Sequence, residues 1–303
     1  MSNIKDGQFS AQDIGDQHQS STTTGLEKEM KPSSESTKLE SPEGMREYTP
    51  ANKLHGRSAL ITGGDSGIGR AVAVLYAREG CHKISIVYLE EEQEDAEETK
   101  RMVEKEGGTC LLMPFDLTHF KETKHLIDKH METYGHLNIL VNNASKQISC
   151  KHVADLDLDM VESTFASNIL QMIALTKFAV PHMKRGDVIL NTTSVTAYRG
   201  SGQFLDYAAT KGAIVSFTRG LASQLTGETG IRVNAVAPGP VHTPLQPASR
   251  PAEQMSSFGE GTMFGRPAQP SEIAPSYVFL ASAEASMFTG QVLHPNAGEI
   301  LNT

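Results

Sequence analysis

The residues with the clearest chemical potential are a tyrosine and a lysine in the stretch LDYAATK, residues 205–211, which the sequence predicts to be helical. Tyr207 and Lys211 are four positions apart, so in a helix they lie on one face. A nearby ammonium group favours the phenolate, so we expect the pKa of Tyr207 to fall towards the working pH. Such a phenol can donate a proton to a carbonyl oxygen or accept one from an alcohol. The pair therefore predicts acid–base chemistry, whereas the simpler interpretation is two surface side chains.

The elements that position this pair alternate between strands and helices from Arg57 onward. The predicted strands are RSALIT, KISIVYL, TCLLMPFD, LNILVNNAS, DVILNTTS, IRVNAVAPG and GQVLHPN, with helical segments between them. Short, unbroken apolar strands separated by helices indicate a parallel sheet covered on both faces. We therefore predict the α/β class, with a single doubly wound domain over residues 51–303.

The first 50 residues differ in composition from the rest of the chain, because they are rich in Ser, Thr, Gln, Glu and Pro and contain few large apolar residues. Such a segment buries too little apolar surface to offset its ordering entropy. We predict that residues 1–50 form a flexible extension. Within it, residues 25–50 are candidates for an extended arm that docks, and this arm could wrap a neighbouring subunit.

Composition also limits the function classes. The formal net charge is −9 and no basic block is present, so we expect no nucleic-acid partner. Three separated cysteines favour a reducing compartment, and His119, His125 and His130 lack the spacing of metal ligands on one helix face, so we expect no metal site. The N-terminus has no signal-like apolar region and no apolar run is long enough to span a bilayer. We therefore expect a soluble cytoplasmic protein without a membrane partner.

A glycine-rich loop, TGGDSGIGR, follows the first predicted strand and opens the first predicted helix. Its glycines are Gly63, Gly67 and Gly69, a spacing that permits a tight turn and the close approach of backbone amides to a phosphate. In this context the loop predicts a site for the pyrophosphate of a dinucleotide.

The second predicted strand ends near Tyr88 and Leu89, about 20 residues beyond the loop, where an acidic residue or an arginine normally selects between NAD and NADP. Neither residue type is present at these two positions. The following Glu90, Glu91 and Glu92 would repel an additional phosphate unless they point away. The sequence therefore leaves NAD(H) and NADP(H) both open.

These motifs occur in an order that resembles the short-chain dehydrogenase/reductase family over roughly residues 50–300. The motifs are Thr62-Gly63-x-x-x-Gly67-x-Gly69, Asp116, Asn142-Asn143-Ala144, Asn168, Ser194, Tyr207-x-x-x-Lys211 and Pro238-Gly239. Within the family, the chain is similar to the N-terminally extended group of glucose and ribitol dehydrogenase homologues and general-stress oxidoreductases. One departure is Ser145, where the family usually has a glycine. The resemblance implies a Rossmann-type domain with a seven-stranded parallel sheet.

The resemblance also implies residue roles. Tyr207 is expected to be the general acid–base, with Ser194 bonding the substrate oxygen, Lys211 holding the nicotinamide ribose and Asn168 anchoring a water that links Lys211 to solvent. The expected cofactor contacts are Gly63, Asp65, Ser66, Gly67, Ile68, Gly69, Tyr88, Leu89, Asp116, Leu117, Asn142, Ala144, Tyr207, Lys211, Pro238, Gly239, Val241 and Thr243.

The implied function is reversible hydride transfer between NAD(P)(H) and a small carbonyl or alcohol substrate. Two alternatives stay open, namely non-redox chemistry such as dehydration, epimerisation or cyclisation on the same fold, and a cofactor-binding regulator. Family members commonly pair the helix that carries the tyrosine, so we expect a homo-oligomer, either a tetramer or a dimer. Residues 243–265 are interpreted either as an apolar lid over the substrate or as a connector.

Overall fold

The structure, a computed structural model, describes residues 14, 17–19, 24–42 and 44–301. Most of the first 23 residues of the predicted flexible extension therefore lie outside the described residues. The strands are β1 (Lys38–Ser41), β2 (Gly44–Glu47), β3 (Ser58–Thr62), β4 (Lys83–Tyr88), β5 (Thr109–Pro114), β6 (Ile139–Asn142), β7 (Val188–Thr192), β8 (Arg232–Val236) and β9 (Val292–Leu293). The α-helices of four or more residues are α1 (Gly67–Arg78), α2 (Gln93–Lys105), α3 (Lys124–Tyr134), α4 (Leu158–Phe165), α5 (Gln171–Ala179), α6 (Thr196–Arg199), α7 (Leu205–Thr229), α8 (Leu245–Ser249), α9 (Ala252–Met255) and α10 (Pro270–Ala281).

Seven strands form one parallel sheet in the order β5-β4-β3-β6-β7-β8-β9, which confirms the predicted fold class. The chain moves outward from β3 to β5 and then returns to add β6 on the other side of β3. In such a sheet the connections leave β3 and β6 in opposite directions, which opens a crevice beyond their carboxyl ends. The glycine loop and the segment after Asn142 follow these two strands and therefore meet at this crevice.

The core has two halves, one on each face of the sheet. The strands β3, β6, β7 and β8 are buried along their whole length, which explains why their sequences are unbroken apolar runs rather than alternating ones. Helices α1 and α10 pack against each other in one half. The second half contains buried residues of α3, α5 and α7. The sheet is therefore a rigid support for the loops at its carboxyl edge.

The long helix predicted over residues 160–186 is interrupted. Helix α4 passes into one π-helical turn, Ala166–Leu170, before α5 begins. Such single π turns within a helix are frequent at functional sites. Asn168, one of the predicted catalytic residues, lies in this turn and is fully buried.

The described part of the N-terminal segment docks on the domain of its own chain. Strands β1 and β2 form an antiparallel hairpin that contacts α10. The Glu35 amide donates to the Gln269 side chain at 2.9 Å, and the Tyr48 hydroxyl donates to the Glu79 carboxylate. Residues 24–50 are called the arm below. The prediction that the arm wraps a neighbouring subunit stays a prediction.

Residues 243–265 contain the short helices α8 and α9, followed by turns. Met255 is buried in this segment, whereas Met263 and Phe264 are exposed. The segment is therefore neither an extended connector nor a fully apolar cover. In the part of the chain that the structure describes, no helix combines the length and the apolar character needed to cross a lipid bilayer.

Candidate active site

A cavity of about 660 Å³ lies at the carboxyl edge of the sheet, where the predicted motifs converge. The predicted residues that line it are Gly63, Asp65, Ser66, Gly67, Ile68, Tyr88, Leu89, Asp116, Leu117, Ala144, Ser194, Tyr207, Lys211, Pro238, Gly239, Val241 and Thr243. They come from loops after β3, β4, β5, β6, β7 and β8, together with α7. Strands that are distant in sequence end at the same edge of a parallel sheet, which is why these loops come together.

Tyr207 and Lys211 lie in the first two turns of α7, and both are buried. The Lys211 Nζ atom is 5.3 Å from the centroid of the Tyr207 ring and donates a hydrogen bond to the Thr192 carbonyl oxygen at 3.0 Å. The Thr193 hydroxyl donates to the Lys211 carbonyl oxygen at 2.7 Å. The end of β7 therefore fixes the position of the lysine under the tyrosine ring.

Ser194 follows β7 and faces the phenol. Its Oγ atom accepts a hydrogen bond from the Thr196 amide at 3.2 Å. Burial is the largest influence on Tyr207 and raises its pKa, while a hydrogen bond with Ser194 and the charge of Arg250 act in the opposite direction. The expectation of a lowered phenol pKa is therefore wrong for the chain alone, because desolvation outweighs the nearby charges.

The same desolvation acts on the lysine. Burial lowers the pKa of Lys211 to about 7, well below the ordinary value of a lysine. The charged form loses solvation in a buried site, so the lysine partly loses its proton near neutral pH. The sequence predicted that Lys211 places its positive charge beside the phenol, and burial weakens that charge near neutral pH.

The glycine loop has the backbone that its sequence requires. Gly63 and Gly67 have φ of +60° and +49°, a conformation that favours glycine. A Cβ atom on Gly69 would lie 1.8 Å from the Gly63 carbonyl oxygen, so no side chain fits there. Gly69 itself does not line the cavity. Gly69 therefore packs closely within the loop, and its role as a cofactor contact stays a prediction.

Two predicted asparagines also lie behind the cavity wall. The Asn142 Nδ2 atom donates to Asn191 Oδ1 at 3.0 Å and to Thr176 Oγ1 at 3.3 Å, which fits the expected support of the central sheet. The second is Asn168, the expected anchor of a water, which is buried in the π-helical turn. Neither asparagine side chain is among the cavity-lining residues.

The Asn168 amide is fully used by protein groups. Its Oδ1 atom accepts from the Lys146 amide at 2.7 Å and the Ser145 hydroxyl at 3.4 Å, and its Nδ2 atom donates to the Lys146 carbonyl at 2.8 Å and to Thr210 Oγ1 at 3.1 Å. A side-chain amide has two donors and two acceptor positions. The side chain therefore holds the loop after β6 against α7, and a water held by Asn168 stays a prediction.

The end of the crevice beside β4 and β5 is acidic. Tyr88, Leu89 and Asp116 lie there with the carboxylates of Asp65 and Glu92. Burial and the proximity of the Asp65 carboxyl group raise the pKa of Glu92 well above its ordinary value, and burial raises the pKa of Asp65 as well. Two carboxyl groups that are both buried and close resist simultaneous ionisation.

Sequence reasoning missed several cavity residues. Thr24, from the N-terminal segment, lines the cavity and donates a hydrogen bond to Glu92 Oε1 at 2.6 Å. Leu245 and Gln246 of α8 also line it. No motif marks these residues, because they reach the site through docking of the arm and of α8. The adjacent Asn143 also lines the cavity, and its Nδ2 atom donates to the Thr62 and Gly63 carbonyl oxygens. This residue could have been found from the NNA motif.

Comparison with known proteins agrees with this geometry. Residues 63–299 match a family model described as enoyl-(acyl carrier protein) reductase. The chain is 47% identical over 262 residues to NADPH-dependent aldehyde reductase 1, chloroplastic, of Arabidopsis thaliana, covering 84% of this chain and 90% of the relative. It is 47% identical over 279 residues to general stress protein 39 of Bacillus subtilis, covering 92% and 94%.

A solved structure has the same fold. A short-chain dehydrogenase from Burkholderia cenocepacia in complex with NADP aligns with a TM-score of 0.75 at 29% identity, covering 81% of this chain and 98% of that chain. Together with the ordered motifs and the parallel sheet, these similarities identify the chain as an oxidoreductase of the short-chain dehydrogenase/reductase family.

Proposed function

We propose that this oxidoreductase interconverts a carbonyl compound and an alcohol, with NAD(H) or NADP(H) as the partner in hydride transfer and Tyr207 as the general acid–base. The observation that carries the proposal is the arrangement of Tyr207, Ser194 and Lys211 in one cavity with the glycine loop. The NADPH-dependent relative from Arabidopsis thaliana and the solved structure in complex with NADP support the cofactor class.

The proposed roles of the residues follow from their positions. The bound dinucleotide supplies or accepts the hydride. The Ser194 hydroxyl donates to the substrate carbonyl oxygen and orients it, while Tyr207 transfers its proton to that oxygen. The raised pKa keeps the phenol protonated at neutral pH, which suits reduction of a carbonyl. Lys211, held by the Thr192 carbonyl, contributes positive charge beside the phenol when it is protonated.

The proposed dinucleotide orientation places the pyrophosphate on the glycine loop and the nicotinamide beside Pro238 and Gly239. Both residues line the cavity, which supports this orientation. At the end of the crevice proposed for the adenosine, the Glu90 and Glu91 carboxylates would repel the additional phosphate of NADP(H), and Glu92 adds to this repulsion when it ionises.

The test measures absorbance of the reduced dinucleotide with a panel of aldehydes, ketones, sugars and an enoyl thioester. We expect consumption with at least one carbonyl compound. The variant Tyr207→Phe is expected to lose about 10²–10⁴ in kcat while its dinucleotide Kd stays unchanged. Full turnover in this variant would exclude Tyr207 as the acid–base. Consumption with the enoyl thioester alone would replace carbonyl reduction by reduction of a carbon–carbon double bond.

We also propose that the protein is a homo-oligomer that pairs along α4, α5 and α7. Leu158, Leu170 and Ile173 expose 76%, 36% and 41% of their surface on this side. Behind them, Ile169, Met172 and Ile214 form a small apolar cluster that joins the helices. Several large apolar side chains on one surface support an interface between subunits.

A further inference from the structure

Arg250 follows α8 and lines a second cavity, of about 650 Å³, beside the candidate active site. Residues of the turns after α9 and of the C-terminal segment close this cavity, including Phe258, Met263 and Glu299. The Glu299 carboxylate is already paired with Arg199 at 2.7 Å. The cavity therefore contains one positive charge, on Arg250, that this ion pair does not balance.

The guanidinium of Arg250 is only partly satisfied by the protein. Its Nε atom donates to Gln246 Oε1 at 3.1 Å. Within the described ranges, its two terminal amino groups have neither a hydrogen-bond acceptor nor a carboxylate partner. A half-buried guanidinium has lost part of its solvation, and an anion beside it would restore favourable interactions. The unfilled donors of Arg250 thus indicate a position for an anion.

Two aromatic rings flank the guanidinium, and the N-terminal segment contacts the Arg250 backbone. Its Cζ atom lies 4.6 Å from the centroid of the Phe204 ring and 5.4 Å from that of Phe258. The ring of His18 contacts the Arg250 carbonyl oxygen through Nδ1 at 2.8 Å. A planar guanidinium that is fixed by stacking keeps its fork of donors oriented, which suits a carboxylate or phosphate group.

The electrostatics agree with this geometry. Burial lowers the pKa of Arg250, the Tyr207 phenol raises it, and the charge of Arg199 lowers it. An anion beside the guanidinium would compensate for this desolvation.

The anion position is close to the reacting groups. Phe204 contacts Tyr207 edge to face, with ring centroids 6.4 Å apart, so one aromatic ring lies between the guanidinium and the phenol. Gln246, the partner of Arg250, lines the main cavity. We propose that Arg250 binds the anionic group, a carboxylate or a phosphate ester, of a substrate whose carbonyl reaches Ser194 and Tyr207. This inference rests on the proposed carbonyl reduction and specifies its substrate class.

The test uses matched aldehyde pairs that differ in charge. Butanal is compared with 4-oxobutanoate for the carboxylate, and glyceraldehyde with glyceraldehyde 3-phosphate for the phosphate. We expect the enzyme to prefer the charged member of at least one pair. In Arg250→Gln, KM for that member should rise about 10- to 100-fold with kcat nearly unchanged, because a charge-assisted hydrogen bond is lost. The uncharged member should change by less than about 3-fold.

Control variants separate the role of Arg250 from a general effect of charge. Arg250→Lys keeps the charge and should recover part of the preference. Arg101→Gln removes an exposed arginine that is paired with Glu98 on α2 and should leave the preference unchanged. Equal loss with both members of a pair in Arg250→Gln, or no preference in the unaltered enzyme, would overturn the inference while leaving carbonyl reduction intact.

A binding measurement makes the test independent of turnover. Succinate and inorganic phosphate are titrated calorimetrically into the enzyme with the dinucleotide bound. We expect at least one to bind, with affinity about 10-fold or more lower in Arg250→Gln. Equal binding by both proteins would overturn the inference. If no aldehyde is consumed but the anion binds through Arg250, the proposed function fails and the anion site remains.

Discussion

The Oε2 atom of Glu27 accepts a hydrogen bond from the backbone amide of Gly67 at 3.0 Å, which joins the arm to the glycine loop. The Oε1 atom of the same carboxylate accepts from the amide and the hydroxyl of Ser34, at 2.9 and 2.5 Å. The Glu27 and Lys28 amides in turn donate to the Asp95 carboxylate of α2. The arm is thus bonded to the loop and to the helix that border the dinucleotide crevice.

Replacing Glu27 with alanine should therefore destabilise the protein. The change leaves the buried amide of Gly67 and the half-buried donors of Ser34 without an acceptor, which costs about 1–3 kcal/mol of unfolding free energy. The matched control is Glu29→Ala, which removes an exposed carboxylate from the same turn and should change the stability by less than about 0.5 kcal/mol. Denaturant unfolding measures both variants. Equal stability of the two would show that the arm contributes nothing to the loop.

The raised pKa of Tyr207 predicts opposite pH dependences for the two directions of the reaction. Reduction needs the protonated phenol, so kcat/KM for a carbonyl should decline only at alkaline pH. Oxidation needs the phenolate, so kcat/KM for the alcohol should rise with pH across the neutral range. Steady-state rates from pH 6 to 10 in both directions test this. An optimum below pH 7 for alcohol oxidation would contradict the assignment.

The lowered pKa of Lys211 predicts that the free energy of unfolding depends on pH. Its pKa is about 7 in the folded chain and near the ordinary 10.5 when unfolded. Between these values the unfolded chain binds the additional proton, so this group makes the folded state more stable as pH rises, by about 1 kcal/mol per pH unit.

The corresponding variant is Lys211→Met, measured without dinucleotide. From pH 7 to 9, the Tm of the unaltered protein should rise by a few degrees relative to the Tm of this variant. In a domain of this size, each kcal/mol of unfolding free energy changes Tm by roughly 2–4 °C. Lys129→Met, an exposed lysine on α3, is the control and should follow the unaltered protein. Parallel curves for all three proteins would show that Lys211 is charged in the folded state across this range.

The position of Glu92 predicts that this side chain affects the choice between NAD(H) and NADP(H). It lines the adenosine end, and Thr24 and the Leu89 amide hold its two oxygens. Its pKa is raised, so the side chain gains negative charge as pH rises through neutrality, and discrimination against NADP(H) should increase.

The variant Glu92→Gln should lower the ratio of the NADP(H) Kd to the NAD(H) Kd by about 3- to 10-fold at alkaline pH. The reason is that it removes a negative charge that repels the additional phosphate of NADP(H). Fluorescence titration of both reduced dinucleotides measures the ratio. The neighbouring Glu94→Gln, an exposed carboxylate on α2, serves as the control. A ratio that does not change in Glu92→Gln would remove Glu92 from cofactor selection.

The apolar surface of α4 and α5 predicts the assembly. Ile173 exposes 41% of its surface, and a charge at this position should weaken an interface there. Ile173→Glu should therefore raise the protein concentration at which half of the oligomer dissociates by about 10-fold or more. Thr133→Glu on the exposed side of α3 is the control. Analytical ultracentrifugation over a range of concentrations tests this. Unchanged assembly in Ile173→Glu would place the interface elsewhere.

The sequence was sufficient for the fold class, for the glycine loop and for the pairing of Tyr207 with Lys211. These features depend on short-range patterns, since the apolar runs of β3 to β8 report burial on both faces and four-residue spacing reports one face of a helix. The order of the motifs then assigned the loops to one edge of a parallel sheet. Most of the predicted cofactor contacts accordingly line one cavity.

Only the tertiary structure decided the directions in which the pKa values of the site residues change. It also decided which distant segments line the cavity. Desolvation of Tyr207 and Lys211 depends on everything packed around them, so the direction of both pKa changes could not be obtained from their spacing. Glu27 reaches the glycine loop, and Arg250 reaches the neighbouring cavity, through contacts with residues distant in sequence. Local periodicity contains no information about such contacts, because they are determined by how the arm and α8 dock on the finished sheet.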